Sequence, residues 1–457
     1  MKTASRRALS ILLALAMALG LAAPALAAEP FSPVVFLAGF GTELYLNDGT
    51  PEEKGVLMGA LNADEVLSAL GATLLDALLR PLAALRSQSQ GADALSAFML
   101  HWLGNLACDE NGDSLYSVSN TSRNEKGRVG TYEGRPFYQF HFDWRLDPME
   151  TAQALHAYIQ RVKAETGSPK VNLHAISFGS VICCAYLEQY GTGDLESLFL
   201  CVSAHGGLTL GEDLIQKKLA VSGKGLAAFL EQMIPDDTGL LAPALRALEC
   251  TGLLRLAELL LNGWLGDIKD RFYEQAVIPL LGQMPAVWAF VADDEVYENG
   301  KRLLLADTAK YARLIEKLDA YHYSVGNRTN EILRDAAAEI KVALVCGYGY
   351  APIPLGGAFL YQSDFLIDTA RESGGAVCAP YGQTLPADYV QAVADGHDHI
   401  SGDRAIDAST CALPEQTWFV KGYQHQYEYS GAGIYPWFLG FSGQPTVWSD
   451  PAYPQFL

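Results

Sequence analysis

Apolar residues along this chain fall into short dense runs separated by long amphipathic stretches, and the two spacings predict different elements. The dense runs lie at residues 33–38, 136–142, 170–176, 196–204, 341–346 and 417–421. Runs of that length, closed by turn residues, fit strands buried on both faces. Residues 286–291 are a further candidate strand. Residues 148–166 and 180–190 have helical spacing instead, with Val181, Cys184 and Leu187 on one stripe and Pro148 in the first turn, where a proline is tolerated. Strand, helix, strand in succession predicts a βαβ unit and hence a parallel sheet. Residues 62–107 are Leu- and Ala-rich and helical in pattern. From residue 207 to 339 the alternation stops, and Leu245, Leu248, Leu253, Leu256 and Leu260 mark an amphipathic helical face. The sheet resumes at Lys341.

The first residues carry a different signature. Lys2, Arg6 and Arg7 precede an apolar stretch from Ala8 to Leu21, and Ala25-Leu26-Ala27 is a small-x-small cleavage site. Residues 1–28 therefore read as a signal peptide, and the expected location is secreted or extracytoplasmic. No later run is long enough to span a bilayer as a helix. The 457 residues, 50% hydrophobic, suffice for one large core plus a cap. A formal net charge of −20 argues against nucleic acid as a partner, and against anionic lipid surfaces unless a local patch compensates. The eight cysteines are even in number, and export permits disulfides. Cys183, Cys184, Cys201 and Cys346 fall in core elements, whereas Cys378 and Cys411 lie in loop-rich sequence and are the pair expected to bond. No Cys/His spacing resembles a zinc site, and the Asp109–Asp113 loop misses the EF-hand pattern and reads as a solvated turn. No metal or organic cofactor is implied.

Candidate chemistry enters where the run at 170–176 meets the helix at 180. Ala175-Ile176-Ser177-Phe178-Gly179 places a serine at the tip of a sharp strand-to-helix turn, the setting of a nucleophile elbow. Such a turn needs small neighbours; Gly179 is one, and Ala175 stands where a second glycine is usual. Upstream, the first strand runs into Gly39-Phe40-Gly41, whose backbone can face a ligand without side-chain interference. The backbone amides of Phe40 and Phe178 are the expected oxyanion donors.

These segments resemble the lecithin:cholesterol acyltransferase-like branch of the α/β-hydrolases. The likeness is carried by the loop from Val35 to Leu44, by Phe142-Asp143-Trp144-Arg145-Leu146, by His174-Ala175-Ile176-Ser177-Phe178-Gly179, and by Met284-Pro285-Ala286-Val287-Trp288. It implies an α/β-hydrolase fold: a mostly parallel central sheet flanked by helices, with a large helical cap inserted before the last two core strands. Residues 29–206 and 340–457 would form the core and 207–339 the cap or lid. The family's order of serine, acid, histidine implies Asp364 as the acid, with Asp368 four residues on as its rival in the same turn. It implies His425, after the last strand, as the base; His397 and His399 precede that strand, on the wrong side. Asp143 and Arg145 are expected to brace the elbow rather than to react. Trp288 suits either an acyl pocket or an ordinary core contact. The activity implied is that of a serine esterase, lipase or acyltransferase on a lipid or related ester, with transient contact to a membrane surface. A non-catalytic binding protein on the same fold is the alternative.

Overall fold

In the computed structural model of the protein, residues 31–56, 88–233, 241–357, 360–425 and 430–457 are described. The expected signal peptide and the first part of the helical pattern at 62–107 lie outside them; the rest of that pattern is helix α1, Gln88–Leu103.

Seven strands form the main sheet: β1 (Val34–Leu37), β2 (Gly130–Tyr132), β3 (Arg135–Phe140), β4 (Val171–Ile176), β5 (Leu195–Cys201), β6 (Lys341–Tyr348) and β7 (Thr417–Lys421), in the spatial order β7-β6-β5-β4-β1-β3-β2. Every pairing is parallel except the β2–β3 hairpin at one edge. The dense apolar runs follow from this geometry. Along β5 and β6 alternate residues enter different clusters, Leu198, Leu200, Val342 and Leu344 on one face and Phe199, Cys201, Ala343 and Val345 on the other. With both faces covered, a strand has no polar side to show.

Helix α2 (Pro148–Thr166) starts where the sequence says it should. The Asp147 carboxylate accepts the Met149 N–H at 2.8 Å, Pro148 takes the first position, and Gly167 ends the helix at a φ of +69°. It packs against α3 (Gly179–Tyr190), which is buried from Gly179 to Leu187. On the opposite face the helix Ile434–Gly440 supplies Tyr435 and Phe438.

Between β5 and β6 the described chain is helical, including Thr209–Ile215, Gly223–Met233, Leu241–Cys250, α4 (Leu253–Phe272), Asp294–Leu304, Ala312–Tyr321 and Thr329–Glu339. The candidate strand at 286–291 is not one. Pro285–Trp288 is a short helix with the proline in its first turn, because a fixed φ near −65° starts a helix as readily as it interrupts a strand. Trp288 is buried there; its indole N–H donates to the Gly282 carbonyl at 2.8 Å and its ring meets Tyr297 edge-on, so it is a core contact. Three two-residue strands, Tyr45–Leu46, Lys54–Gly55 and Val118–Ser119, make a small antiparallel sheet that the sequence pattern does not announce. Cys378 and Cys411 lie in one small apolar cluster beside Cys346, yet both are free thiols, so the expected disulfide is not formed. Burial in apolar surroundings pushes both thiols up, Cys378 to about 12, which favours the protonated, unreactive form.

Candidate active site

The sheet order reverses direction between β1 and β4: from β1 the chain moves outward to β3, then crosses back to β4 on the other side. In open parallel sheets a crevice opens outside the strand ends at such a reversal. Ser177 follows the end of β4, and Gly39 follows the end of β1. Leu37 pairs with Ala175, so two residues further on Gly39 and Ser177 come opposite each other. A Cβ on Gly39 would lie 2.5 Å from the Ser177 Cβ, and one on Gly179 would lie 2.9 Å from the carbonyl oxygens of Leu37 and Ala38. No side chain fits at either position. Ala175, where a glycine is usual, is fully buried in the core.

Ser177 has a φ of +50°, unusual for a residue with a side chain. Its N–H donates to the Cys201 carbonyl at 3.1 Å, while its own carbonyl accepts the N–H groups of Ser180 at 3.1 Å and Ala204 at 3.2 Å. The Ser180 hydroxyl donates to the same carbonyl at 2.6 Å and accepts the Ala204 N–H at 3.0 Å. The turn is therefore tied to both the helix that follows and the end of β5. Sequence reading missed Ser180; its signal is a second serine three residues after the first, on the buried face of α3. Phe178 stands at the start of α3, where N–H groups lack intrahelical partners. The rings of Phe40, Phe178, Trp144 and Phe290, the last from the helical stretch between β5 and β6, pack together, with Phe40 4.0 Å from Trp144 and Phe290 5.4 Å from Phe178 between centroids.

The remaining groups arrive from the far edge. His425 follows β7, and its Nε2 is 2.9 Å from the Ser177 Oγ. Its Nδ1 bonds Asp364 Oδ2. With Nδ1–H given to the carboxylate, Nε2 is left to accept the serine proton. Asp364 is fully buried in the loop after β6; its Oδ1 accepts the N–H groups of Leu366 at 2.9 Å and Ile367 at 2.7 Å. Burial alone would raise its pKa, but the His425 charge and the hydrogen bonds hold it below the ordinary value. Both loops reach the serine because Gly347 in β6 has no side chain: a Cβ there would lie 2.3 Å from the Tyr423 carbonyl oxygen and 2.6 Å from the Asp364 Cβ. Glu372, which sequence reading passed over, is buried beside Asp364 in the four-residue helix α5 (Thr369–Glu372).

The rival residues are engaged elsewhere. Asp368 accepts the N–H and hydroxyl of Thr209. His399 is buried between Gln455 and Asp395, each at 2.8 Å, and His397 stacks on Trp448. Asp143 and Arg145 form a buried bidentate pair. The same guanidinium donates to the carbonyls of Leu106 and Val118 and to the Ser114 hydroxyl, while the Trp144 indole N–H donates to the Thr42 carbonyl at 2.8 Å. The Trp144 indole thus braces the loop after β1, while Arg145 ties down residues 106–118 rather than the expected elbow. Asp109 accepts the N–H groups of Asn111 and Asp113 in a local turn. Among the described residues, Asp364, Glu372 and His425 alone bring three candidate metal-binding atoms within 4.8 Å of one another. Both ring nitrogens of His425 are already occupied by Asp364 and Ser177, so the trio fits proton chemistry better than a cation.

No family model matches the sequence, and no curated protein matches it. Among solved structures the chain is similar to one described as the crystal structure of the Tle4–Tli4 complex, at 15% identity and a TM-score of 0.22, with 41% of this chain and 48% of that chain covered. The match thus spans about half of that neighbour's length. A likeness this slight carries no weight, and the case for function stands on the site itself.

Proposed function

We propose that the protein is an exported serine esterase, lipase or acyltransferase of the α/β-hydrolase type, akin to the lecithin:cholesterol acyltransferase-like enzymes, that acts on a (phospho)lipid or related ester. The observation that carries this reading is the chain Ser177 Oγ, His425 Nε2, His425 Nδ1, Asp364, hung on a positive-φ strand-to-helix turn. In this reading Ser177 Oγ attacks the ester carbonyl carbon as His425 Nε2 takes its proton. The same nitrogen returns the proton to the leaving alkoxide, leaving an acyl group on Ser177. Water or a second alcohol, deprotonated by His425, then releases the acyl group. Asp364 holds the imidazole tautomer and stabilises the imidazolium, and the amides of Phe40 and Phe178 receive the oxyanion. The helical segment 207–339 serves as the cap, with Phe290 closing the aromatic wall over the serine and excluding water.

A lipid, rather than a small soluble ester, is supported by the outer face of that segment. Leu248, Leu253, Leu256 and Leu259 are exposed on Leu241–Cys250 and α4. Such a stripe suits contact with a lipid surface despite the acidic net charge. The test is fluorophosphonate labelling of the purified chain beside Ser177→Ala, with turnover of acetyl and long-chain esters. Labelling that vanishes in the variant, with turnover greater on long chains, is the expected result. A wild-type chain that neither labels nor turns over any ester would instead be a binding protein on this fold.

A further inference from the structure

The mechanism above leaves unused a buried acid that lies beside Asp364 and His425. Glu372 ends helix α5, packed against the end of β6, and its Oε2 accepts the Gly347 N–H at 2.7 Å. Its Oε1 is buried with no partner unless it carries a proton. Yet Glu372, Asp364 and His425 bring their side-chain atoms within 4.8 Å of one another. Two carboxyl groups this close, both fully buried, do not ionise together. A proton on Glu372 removes both difficulties: Oε1 gains an acceptor in Asp364, and the pair loses one charge. We propose that Glu372 is a positioning residue kept as a neutral carboxylic acid, donating its proton to Asp364 so that His425 faces one negative charge rather than two. The proposal rests on the serine-hydrolase reading of the site.

The surroundings favour this assignment. Facing Glu372 are Asp364, the imidazole of His425, and the thiols of Cys201 on β5 and Cys346 on β6. Arg371, its neighbour on the helix, is turned away to Glu212 at 2.7 Å. Burial and then the Asp364 charge push the Glu372 carboxyl well above the ordinary carboxylate range, while a hydrogen bond from Glu372 helps hold Asp364 below it. The neighbouring Thr369 hydroxyl donates to the Gly347 carbonyl at 2.8 Å, so α5 grips β6 at the glycine where the acid and histidine loops meet. Asp364 is then oriented from three sides: by the backbone N–H groups of its own turn, by the imidazole it serves, and by the Glu372 hydroxyl. In this arrangement Glu372 tempers the charge on Asp364 without competing for His425.

Three measurements on the full chain test this. Infrared difference spectra of wild type and Glu372→Gln should contain a protonated-carboxyl stretch that the variant lacks; this readout needs no turnover and survives if the serine-hydrolase reading fails. Its absence overturns the proposal. In the pH profile of kcat/KM, Glu372→Gln, which can both donate and accept, should keep most of the turnover and leave the acid limb in place. If Glu372 were ionised, that substitution would remove a charge beside the imidazole and lower the acid limb by about one unit or more. Glu372→Leu should lose on the order of 10²-fold in kcat with KM little changed, because Asp364 and His425 lose a fixed donor. Leucine performing as well as glutamine would make Glu372 mere filler and end the idea, as would activity of the wild type that a chelator abolishes and a divalent ion restores. Absent fluorophosphonate labelling at Ser177 would count against the hydrolase reading alone.

Discussion

The two halves of the site are built differently. Ser177 sits on a turn fixed almost wholly by backbone: β1 and β4 in register, hydrogen bonds to the end of β5, and two glycines where a methyl group would collide with the serine or with β1. Asp364 and His425 come from loops after β6 and β7 and are held by the N–H groups of the Asp364 turn, by the His425 N–H on the Asp364 carbonyl, and by each other's side chains. The first half can be read from strand, turn and helix within a dozen residues, although β1 and the end of β5 complete it. The second exists only once the sheet is assembled, and Gly347 is the point where its loops converge.

The largest effects should come from breaking both halves at their meeting point. Ser177→Ala and His425→Ala should each lower turnover on the order of 10³-fold or more, and the double variant little further, because the two act as one unit. Additive losses in steady-state kinetics would mean that the halves work separately. Next come the glycines. Gly39→Ala places a Cβ against a turn that cannot yield, and should cost about 1–3 kcal/mol of stability as well as activity. Gly347→Ala meets the Tyr423 backbone carbonyl at 2.3 Å and the buried Asp364, so it should cost comparable stability and on the order of 10²-fold in kcat. Melting and turnover of the pair decide this; a Gly347 variant that keeps the wild-type Tm would mean that its loops shift to make room.

Smaller still is the pH dependence of stability in the acid half. A carboxyl whose folded pKa is raised makes its contribution fully below the unfolded value, near 4.5 for Glu372, and loses it as pH rises towards the folded value. Glu372→Gln has no such loss, so its Tm should gain on the wild type progressively above that pH. Asp364 runs the other way in both proteins: its contribution is present above its ordinary value and lost as pH falls through the lowered one. A Tm difference that ignores pH would mean that Glu372 is ionised in the folded chain. Smallest of all, Asp368→Asn and His397→Ala should change turnover by about twofold at most, since both are engaged away from Ser177.

That contrast also sets what the sequence could reveal. The main parallel strands were legible because burial on both faces leaves dense apolar runs. The two-residue strands around Tyr45 and Val118 carry no periodicity to read. The run at 286–291 misled because an apolar stretch of that length fits a strand or a buried helix equally, and only Pro285 at its head decides. Ser177 was marked by its own neighbours, whereas Asp364 and Asp368 share one turn and are separated only by which reaches His425 and which is clasped by Thr209. Glu372 left no trace, because nothing in a four-residue helix says what its last side chain will meet across the sheet. The cysteines misled for a related reason: loop-rich sequence suggested an oxidised pair, and packing turned both into small apolar fillers.

The backward-turned φ of Ser177 has a cost that falls on every molecule, working or not. Glycine occupies that conformation freely, so Ser177→Gly should melt higher than the wild type while doing no chemistry. Selection for heat resistance alone would thus favour the loss of the proposed nucleophile. A directed-evolution campaign that screened melting without activity would drift towards inert proteins at this position first.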